Sequence, residues 1–370
     1  RSTQVVSSAA SDVYKRQQEG VAYYQRMIRH GRRHSAAVGF LRPVRNRSNL
    51  SIETAALVQR LDVSGTRVVG VTYTKRGKPQ KVAADSAVLL CAGAINSPQL
   101  LQLSGIGPAD LLGEFGIPIV KPLSGVGEGL QDHYIARVAR RVVNARGLNH
   151  RARGLRLLWE AANWAVRGRG LLSYSPGHVG VFLRSLESLA SPDLQFVFTP
   201  ASYRNGVVGG LHRFPGMTCG VCQMRPESRG FVRIASVDPT HAPTIQPNYL
   251  SAEADREAII RGLKWCRKLL ANEPIGRYAS EEIHPGIECQ SDAELLAHAA
   301  DSGSTMHHPV GTCRMGSDSM AVVDPSLRVN SIAGIRVVDA SIMPTLVSAN
   351  TNAATLMIAE KAADMILADY

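Results

Sequence analysis

Two short stretches near the C-terminal end of the sequence carry residue types suited to proton chemistry. The first, His307-His308-Pro309-Val310-Gly311-Thr312-Cys313, presents imidazoles, the side chains that exchange protons closest to neutral pH, beside a turn stiffened by proline. The second, Asn350-Thr351-Asn352-Ala353-Ala354-Thr355, places carboxamides and hydroxyls at the mouth of a helix. Together they pair a potential base with a polar partner. Between them, Ile335-Arg336-Val337-Val338-Asp339-Ala340-Ser341 is a short apolar run ending in an acid and small residues, which predicts a buried strand running into a tight turn. Strand ends of this kind are places where cofactors are held.

The elements that must position these groups are legible in outline. Strand-like runs are expected at Leu57 to Val63, Arg67 to Thr74 and Lys81 to Cys91, parted by turn signals at Ser64-Gly65 and Gly77-Lys78-Pro79. Ser97 is expected to cap a short helix with Pro98 at its first position, and Gly105 to stop it. Leu155 to Val166 carries Trp159 and Trp164 on a helical pattern, a stripe expected to pack in a core. Further strands are predicted at Val179 to Leu183, Leu194 to Phe198 and Phe231 to Ile234. A surface helix is predicted over Ala252 to Leu270 and a last helix over roughly Ala354 to Leu367.

Composition narrows the function classes. With 370 residues, 45% of them hydrophobic, the chain is large enough for about two domains and a sizeable core. The net charge of +12 gathers in Arg26 to Arg47 and Arg137 to Arg169, but aromatics are only 5% and no nucleic-acid module is present, so solvated faces are the reading and nucleic acid is excluded as a partner. Cys91, Cys219, Cys222, Cys266, Cys289 and Cys313 are dispersed, which argues against a disulfide framework and for a reducing compartment. Cys219-Gly220-Val221-Cys222 lies in an apolar run where strand alternation sends the two thiols to opposite faces, so no metal site is expected. No apolar run reaches the roughly eighteen residues of a membrane span. The expected location is cytoplasmic, with peripheral attachment to a membrane left open.

The His-His-Pro-Val-Gly and Asn350 to Thr355 stretches, with Gly93-Ala94-Ile95-Asn96-Ser97-Pro98-Gln99-Leu100-Leu101-Gln102-Leu103-Ser104-Gly105-Ile106-Gly107-Pro108, resemble the motifs of the glucose–methanol–choline (GMC) family of flavin-dependent alcohol oxidoreductases. Ser228 to Arg233 is similar to the start of that family's C-terminal region, and the resemblance runs from about Gly20 to Tyr370. It implies a mixed α/β fold, with an FAD-binding domain and a substrate domain whose mostly antiparallel sheet is covered by helices. No G-x-G-x-x-G opens the chain, and Gly125-Val126-Gly127-Glu128-Gly129 follows no convincing strand. The expectation is therefore a C-terminal fragment with an incomplete FAD domain. Residues 1–17 are expected to be a foreign or disordered leader and 18–135 the remainder of the FAD domain. Residues 136–304 are expected to form the substrate domain, and 305–370 a return to the FAD domain carrying the active site.

By the same resemblance, His308 is the catalytic base and Asn352 its partner on the substrate oxygen. His307 lines the flavin, Asp339 and Ala340 approach the nucleotide's phosphates, and Val58 meets the adenine through its main chain. Ala353 and Ala354, at the start of the last helix, face the flavin edge that gains negative charge on reduction, and Ala354 keeps an amide where many relatives have proline. The implied reaction is oxidation of a primary or secondary alcohol by hydride transfer to FAD. The partner is a small-molecule alcohol, with an unspecified electron acceptor and a homo-oligomer left open. A hydroxynitrile lyase on the same scaffold, or a fragment unable to hold FAD, are the alternatives. Choline-oxidising relatives tend to place a glutamate where this sequence has His178, in Gly177-His178-Val179-Gly180, and an asparagine where it has Gly129. The first change favours an uncharged alcohol over choline, and the second is expected to loosen a loop near the cofactor.

Overall fold

A computed structural model describes residues 19–175, 177–204 and 210–369, so the leader expected over 1–17 lies outside the described residues. The described residues fold as two compact units, one from within 19–51, 133–225 and 252–306, the other from 52–132, 226–251 and 307–369. These units interleave along the chain. The stretch expected to be one substrate domain, 136–304, gives residues 226–251 to the second unit, and residues before Ser51 belong with the first.

The first unit is built on a seven-stranded antiparallel sheet. Its order is Gly20–Tyr23, Val179–Leu183, Leu194–Thr199, Gly216–Gln223, Tyr134–Val142 and Ala279–His284, with Ser304–Thr305 also pairing with Tyr134–Val142. The strands Val179–Leu183 and Leu194–Thr199 arise where strand-like runs predict them. Cys219 pairs with Val138 and Cys222 with Ile135, so the two thiols point to opposite faces, and both are buried. The helix Glu253–Ala271 covers the Cys219 face: Cys266 Sγ donates to the Cys219 carbonyl at 3.5 Å, and a Cβ on Gly262 would run into Val221.

The helix Gly154–Arg167 overturns the expectation of a buried tryptophan stripe. Leu155, Leu158, Trp159 and Val166 are 84%, 66%, 62% and 83% exposed, while Glu160 is only 2% exposed. The polar side was chosen for the interior because it is satisfied there. Glu160 accepts from Arg151 at 2.6 Å and from the Leu171 amide at 2.8 Å, the amide being the larger cause of its lowered pKa, and Trp164 Nε1 donates to the Gly31 carbonyl at 2.8 Å. With those bonds made, the apolar stripe is left facing outward.

The second unit holds a three-stranded antiparallel sheet, Ala56–Ser64, Arg67–Lys75 and Lys78–Ala83, and a second one of Glu128–Leu130, Gly230–Arg233 and Thr244–Gln246. The run expected as one strand from Lys81 to Cys91 is divided. Lys78–Ala83 joins the first of these sheets, whereas Val88–Leu90 pairs in parallel with Ile335–Val337. Leu101, Ile106, Val126, Val310, Val322, Val323 and Val337 bury completely around that parallel pair, each such side chain contributing about 1.5–3 kcal/mol. The resulting architecture is the mixed α/β fold with antiparallel sheets that the sequence implies.

Candidate active site

Both strands of the parallel pair end at tight turns of the second unit, and the two turns are bonded to each other. Beyond Val88–Leu90, Gly93 turns with φ +82° into the helix Gly93–Leu103; beyond Ile335–Val337, Asp339 caps the short 3-10 turn Ala340–Ile342. The Asp339 carboxylate is buried and fully used. Oδ1 accepts from the Ser341 amide at 2.8 Å, while Oδ2 accepts from the Gly93 amide at 2.9 Å and from Ser97 Oγ at 2.5 Å. The helix therefore starts four residues before the position at which Ser97 was expected to cap it, because Ser97 is committed to Asp339.

That early start places Pro98 inside the helix, where it has no N–H for the Ala94 carbonyl one turn back. The orphaned carbonyl is bonded instead by Thr312 Oγ1 at 2.7 Å. Proline in one motif and threonine in the other are thus complementary, and they pin the segment that follows His308 to the signature helix. Cys313 and Met315 continue the attachment, donating through their amides to the carbonyls of Ser341 and Ile342 at 3.0 and 2.8 Å. Burial pushes the Cys313 thiol well above the usual range, with Asp339 adding to the shift. That sulfur is a packing group.

Gln131 and Asp132 hold the other side of the His308 segment. Gln131 and Val310 exchange both backbone hydrogen bonds at 3.1 and 2.9 Å. Gln131 Oε1 accepts from the Leu346 amide at 3.1 Å, and its Nε2 donates to the Pro226 carbonyl at 2.8 Å. One side chain thereby ties the histidine strand to the segment leading into the last helix. The buried Asp132 accepts the His308 amide at 2.8 Å on Oδ1 and the Tyr249 hydroxyl at 2.5 Å on Oδ2. His308 is buried, whereas His307 beside it is exposed with φ +62°. A left-handed histidine costs about 1–3 kcal/mol and persists only where its surroundings impose it, and such strain concentrates at working sites. No sequence signal marks Gln131 and Asp132 for these roles, since nothing local shows that a carboxylate will meet an amide 176 positions away.

Gly311 and Gly129 sit where this clamp is tightest. Gly311 has φ +90°, and a Cβ there would stand 2.6 Å from the Gly129 carbonyl oxygen. A Cβ on Gly129, where φ is +74°, would meet nothing nearer than the Gly311 carbonyl oxygen at 3.8 Å. The expected loosening at Gly129 has a simple conformational content: the left-handed region that glycine fills is the one that asparagine also tolerates. The amide of Gly127 donates to the Thr312 carbonyl at 2.8 Å, and Gln102 Nε2 donates to the Val126 carbonyl at 3.2 Å, so this glycine cluster is spent on packing.

The last helix spans Thr351–Leu367, and Asn350, its N-cap residue, makes no side-chain capping bond. Asn352 lies within the first turn, exposed, rather than ahead of the helix as expected. In helical geometry the Ala354 amide closes onto Asn350, so Ala354 belongs to the intrahelical ladder, and the amides of Thr351 to Ala353 stand outside it. Val58 lies on Ala56–Ser64, the outer strand of its sheet, beside a register shift. The amide of Ala340 donates to no other group among the described residues. An unspent amide at the end of a parallel strand, an uncapped helix N-terminus and an edge strand are donor sets that fit a dinucleotide carrying phosphates and an anionic ring edge.

Comparison with known proteins follows this geometry. Residues 4–135 and 226–359 match the N-terminal and C-terminal family models described as GMC oxidoreductase. Over 356 residues the chain is 41% identical to an oxygen-dependent choline dehydrogenase of Escherichia coli O127:H6, covering 95% of this chain and 63% of that protein. It is 42% identical to the mitochondrial choline dehydrogenase of Homo sapiens, covering 95% and 59% respectively. Among solved structures, a pyridoxine 4-oxidase from Mesorbium loti superposes with TM-score 0.81 at 32% identity, over 94% of this chain and 64% of that one. A formate oxidase of Aspergillus oryzae RIB40, studied for modification of its FAD, superposes with TM-score 0.87 at 25% identity, over 95% and 66%. The chain thus spans about three fifths of the length of the curated relatives it matches. The N-terminal match begins at residue 4, so the expectation of a C-terminal fragment with an incomplete FAD domain is not supported.

Proposed function

The chain belongs to the GMC oxidoreductase family, and on that premise we propose that it serves FAD-dependent oxidation of a primary or secondary alcohol to an aldehyde or ketone. Bound FAD supplies the hydride acceptor. His308 takes the hydroxyl proton, and the Asn352 carboxamide donates to the substrate oxygen. The amides of Thr351 to Ala353 would hold the flavin edge that becomes negative, Ala340 the phosphates, and the main chain of Val58 the adenine; His307 lines the ring.

The observation that carries this reading is the clamp on the His308 segment. Its amide is bound to Asp132, its strand to Gln131 and its exit to Ala94 through Thr312. A base contributes its usual factor of about 10² to 10⁴ only when positioned to within fractions of an ångström. The clamp supports that placement.

The relatives named choline dehydrogenase suggest a substrate, but His178 argues against carrying choline over directly. Burial, and then Arg26, lower the pKa of His178, so it is neutral near pH 7 and offers no fixed negative charge to a quaternary ammonium. An uncharged alcohol is the proposed class. The location proposed is cytoplasmic. No helix among the described residues is long and apolar enough to cross a membrane. The outward stripe of Leu155, Leu158, Trp159 and Val166, accompanied by the exposed Arg156 and Arg167, supports peripheral attachment to an anionic lipid surface. The test of the reaction is anaerobic addition of alcohols to the flavin-loaded protein: bleaching of the flavin absorbance is expected, and an oxidised spectrum that persists while a cyanohydrin is cleaved would replace the proposal with a lyase. Dye and oxygen as alternative acceptors then separate dehydrogenase from oxidase.

A further inference from the structure

A cavity of about 430 Å³ lies within the seven-stranded-sheet unit, lined by none of the residues given a part in the chemistry above. Its wall includes Arg137, Thr218, Tyr203, His284, His298 and Asp301. The sheet register explains the assembly: Ala139 pairs with Thr218 on one side and with His284 on the other, and Arg137 is two residues along the same strand, so these side chains share one face. The helix Glu253–Ala271 covers the opposite face, against Cys219 and Val221.

Arg137 is the anomaly in this wall. Its neighbours on the strand are paired, Arg140 with Glu282 at 3.7 Å and Arg141 with Glu281 at 3.8 Å. Among the described residues Arg137 has no carboxylate partner. Nη2 donates to Ser304 Oγ at 2.9 Å, while Nη1 is buried without an acceptor. His284 Nε2 is likewise buried without a partner. Asp301, the one carboxylate of the lining, is exposed and does not reach the guanidinium. Burial lowers the Arg137 pKa, which shows the environment working against the charge, yet a guanidinium does not give up its proton near neutrality. A guanidinium nitrogen buried without an acceptor is unfavourable, and a cavity of this size beside it has room for the missing counter-charge.

We propose that this cavity binds a small oxyanion, a carboxylate or inorganic phosphate, with Arg137 Nη1 as the charged donor and His284 and Tyr203 completing the contacts. Titration calorimetry of the protein with sodium phosphate, acetate and benzoate, at ionic strength held constant with chloride, tests it. Saturable binding with mutual competition is expected; tighter phosphate or tighter benzoate identifies which oxyanion the site is shaped for. Arg137→Gln should weaken binding by about 30-fold or more, as loss of a buried charged donor does. Asp301→Asn removes the negative charge at the rim and should tighten binding, a direction that a damaged fold does not produce. No saturable binding of any of the three anions, equal affinity in Arg137→Gln, or weaker binding in Asp301→Asn would overturn the proposal.

Discussion

Replacing Gly311 by alanine should be far more damaging than the same change at Gly129, although the two face each other across one contact. At Gly311 the backbone has φ +90°, which costs an alanine about 1–3 kcal/mol. Its Cβ would also lie 2.6 Å from the Gly129 carbonyl oxygen, and since both partners are backbone, relief requires main-chain movement worth about another 1–3 kcal/mol. The expected loss is therefore about 2–6 kcal/mol. At Gly129, with φ +74° and no atom within 3.8 Å of where a Cβ would stand, only the conformational part applies. Gly129→Asn should fall within about 1 kcal/mol of the parent, because asparagine accepts the left-handed region. All three tryptophans, Trp159, Trp164 and Trp265, belong to the other unit, so urea unfolding should be followed by far-ultraviolet circular dichroism, with tryptophan fluorescence as an internal control. A Gly311→Ala protein no less stable than Gly129→Ala would refute the close approach on which the clamp depends.

Thr312→Val should destabilise by about 1–3 kcal/mol despite its similar shape, since it leaves the Ala94 carbonyl without the hydroxyl that replaces the proline's missing amide; urea midpoints check this, and an unchanged midpoint would contradict it. Burial, the largest cause for each, lowers the pKa of His212 and His284 below the ordinary 6.5, with His284 adding to the shift at His212 and His298 to that at His284. The unfolded chain therefore binds more protons in that range, so stability should be level above about pH 6.5 and fall as the pH drops below it; midpoints that rise between pH 7 and 5.5 would show the sign to be wrong. Vesicles containing phosphatidylglycerol should co-sediment the protein and shift Trp159 emission to the blue, and Leu155→Asp with Leu158→Asp should abolish both; equal sedimentation with neutral phosphatidylcholine would remove the charge component.

The parts of the fold that local pattern controls were legible. Val179–Leu183 alternates in burial and Leu194–Thr199 is a short, mostly buried apolar run, and both read as strands from the sequence. Where a distant partner decides, local signals misled. Ser97 followed by Pro98 has the chemistry of a helix start, yet Ser97 serves a carboxylate 242 residues away and the helix begins at Gly93. The pattern in Leu155 to Val166 reveals two faces but not which one turns inward, because that choice rests on the partners of Glu160 and Trp164. In the same way His308 and Asn352 are carried by recognisable motifs, while Gln131 and Asp132, which hold the His308 segment, gain their meaning only from long-range pairing.

The most direct test is the rate at which an alcohol reduces the bound flavin without oxygen, measured by stopped flow in the parent and in His308→Ala. Loss of the base should slow that step by about two orders of magnitude or more while flavin content stays the same. A flavin-loaded His308→Ala protein that is reduced as fast as the parent would contradict the role given to this imidazole.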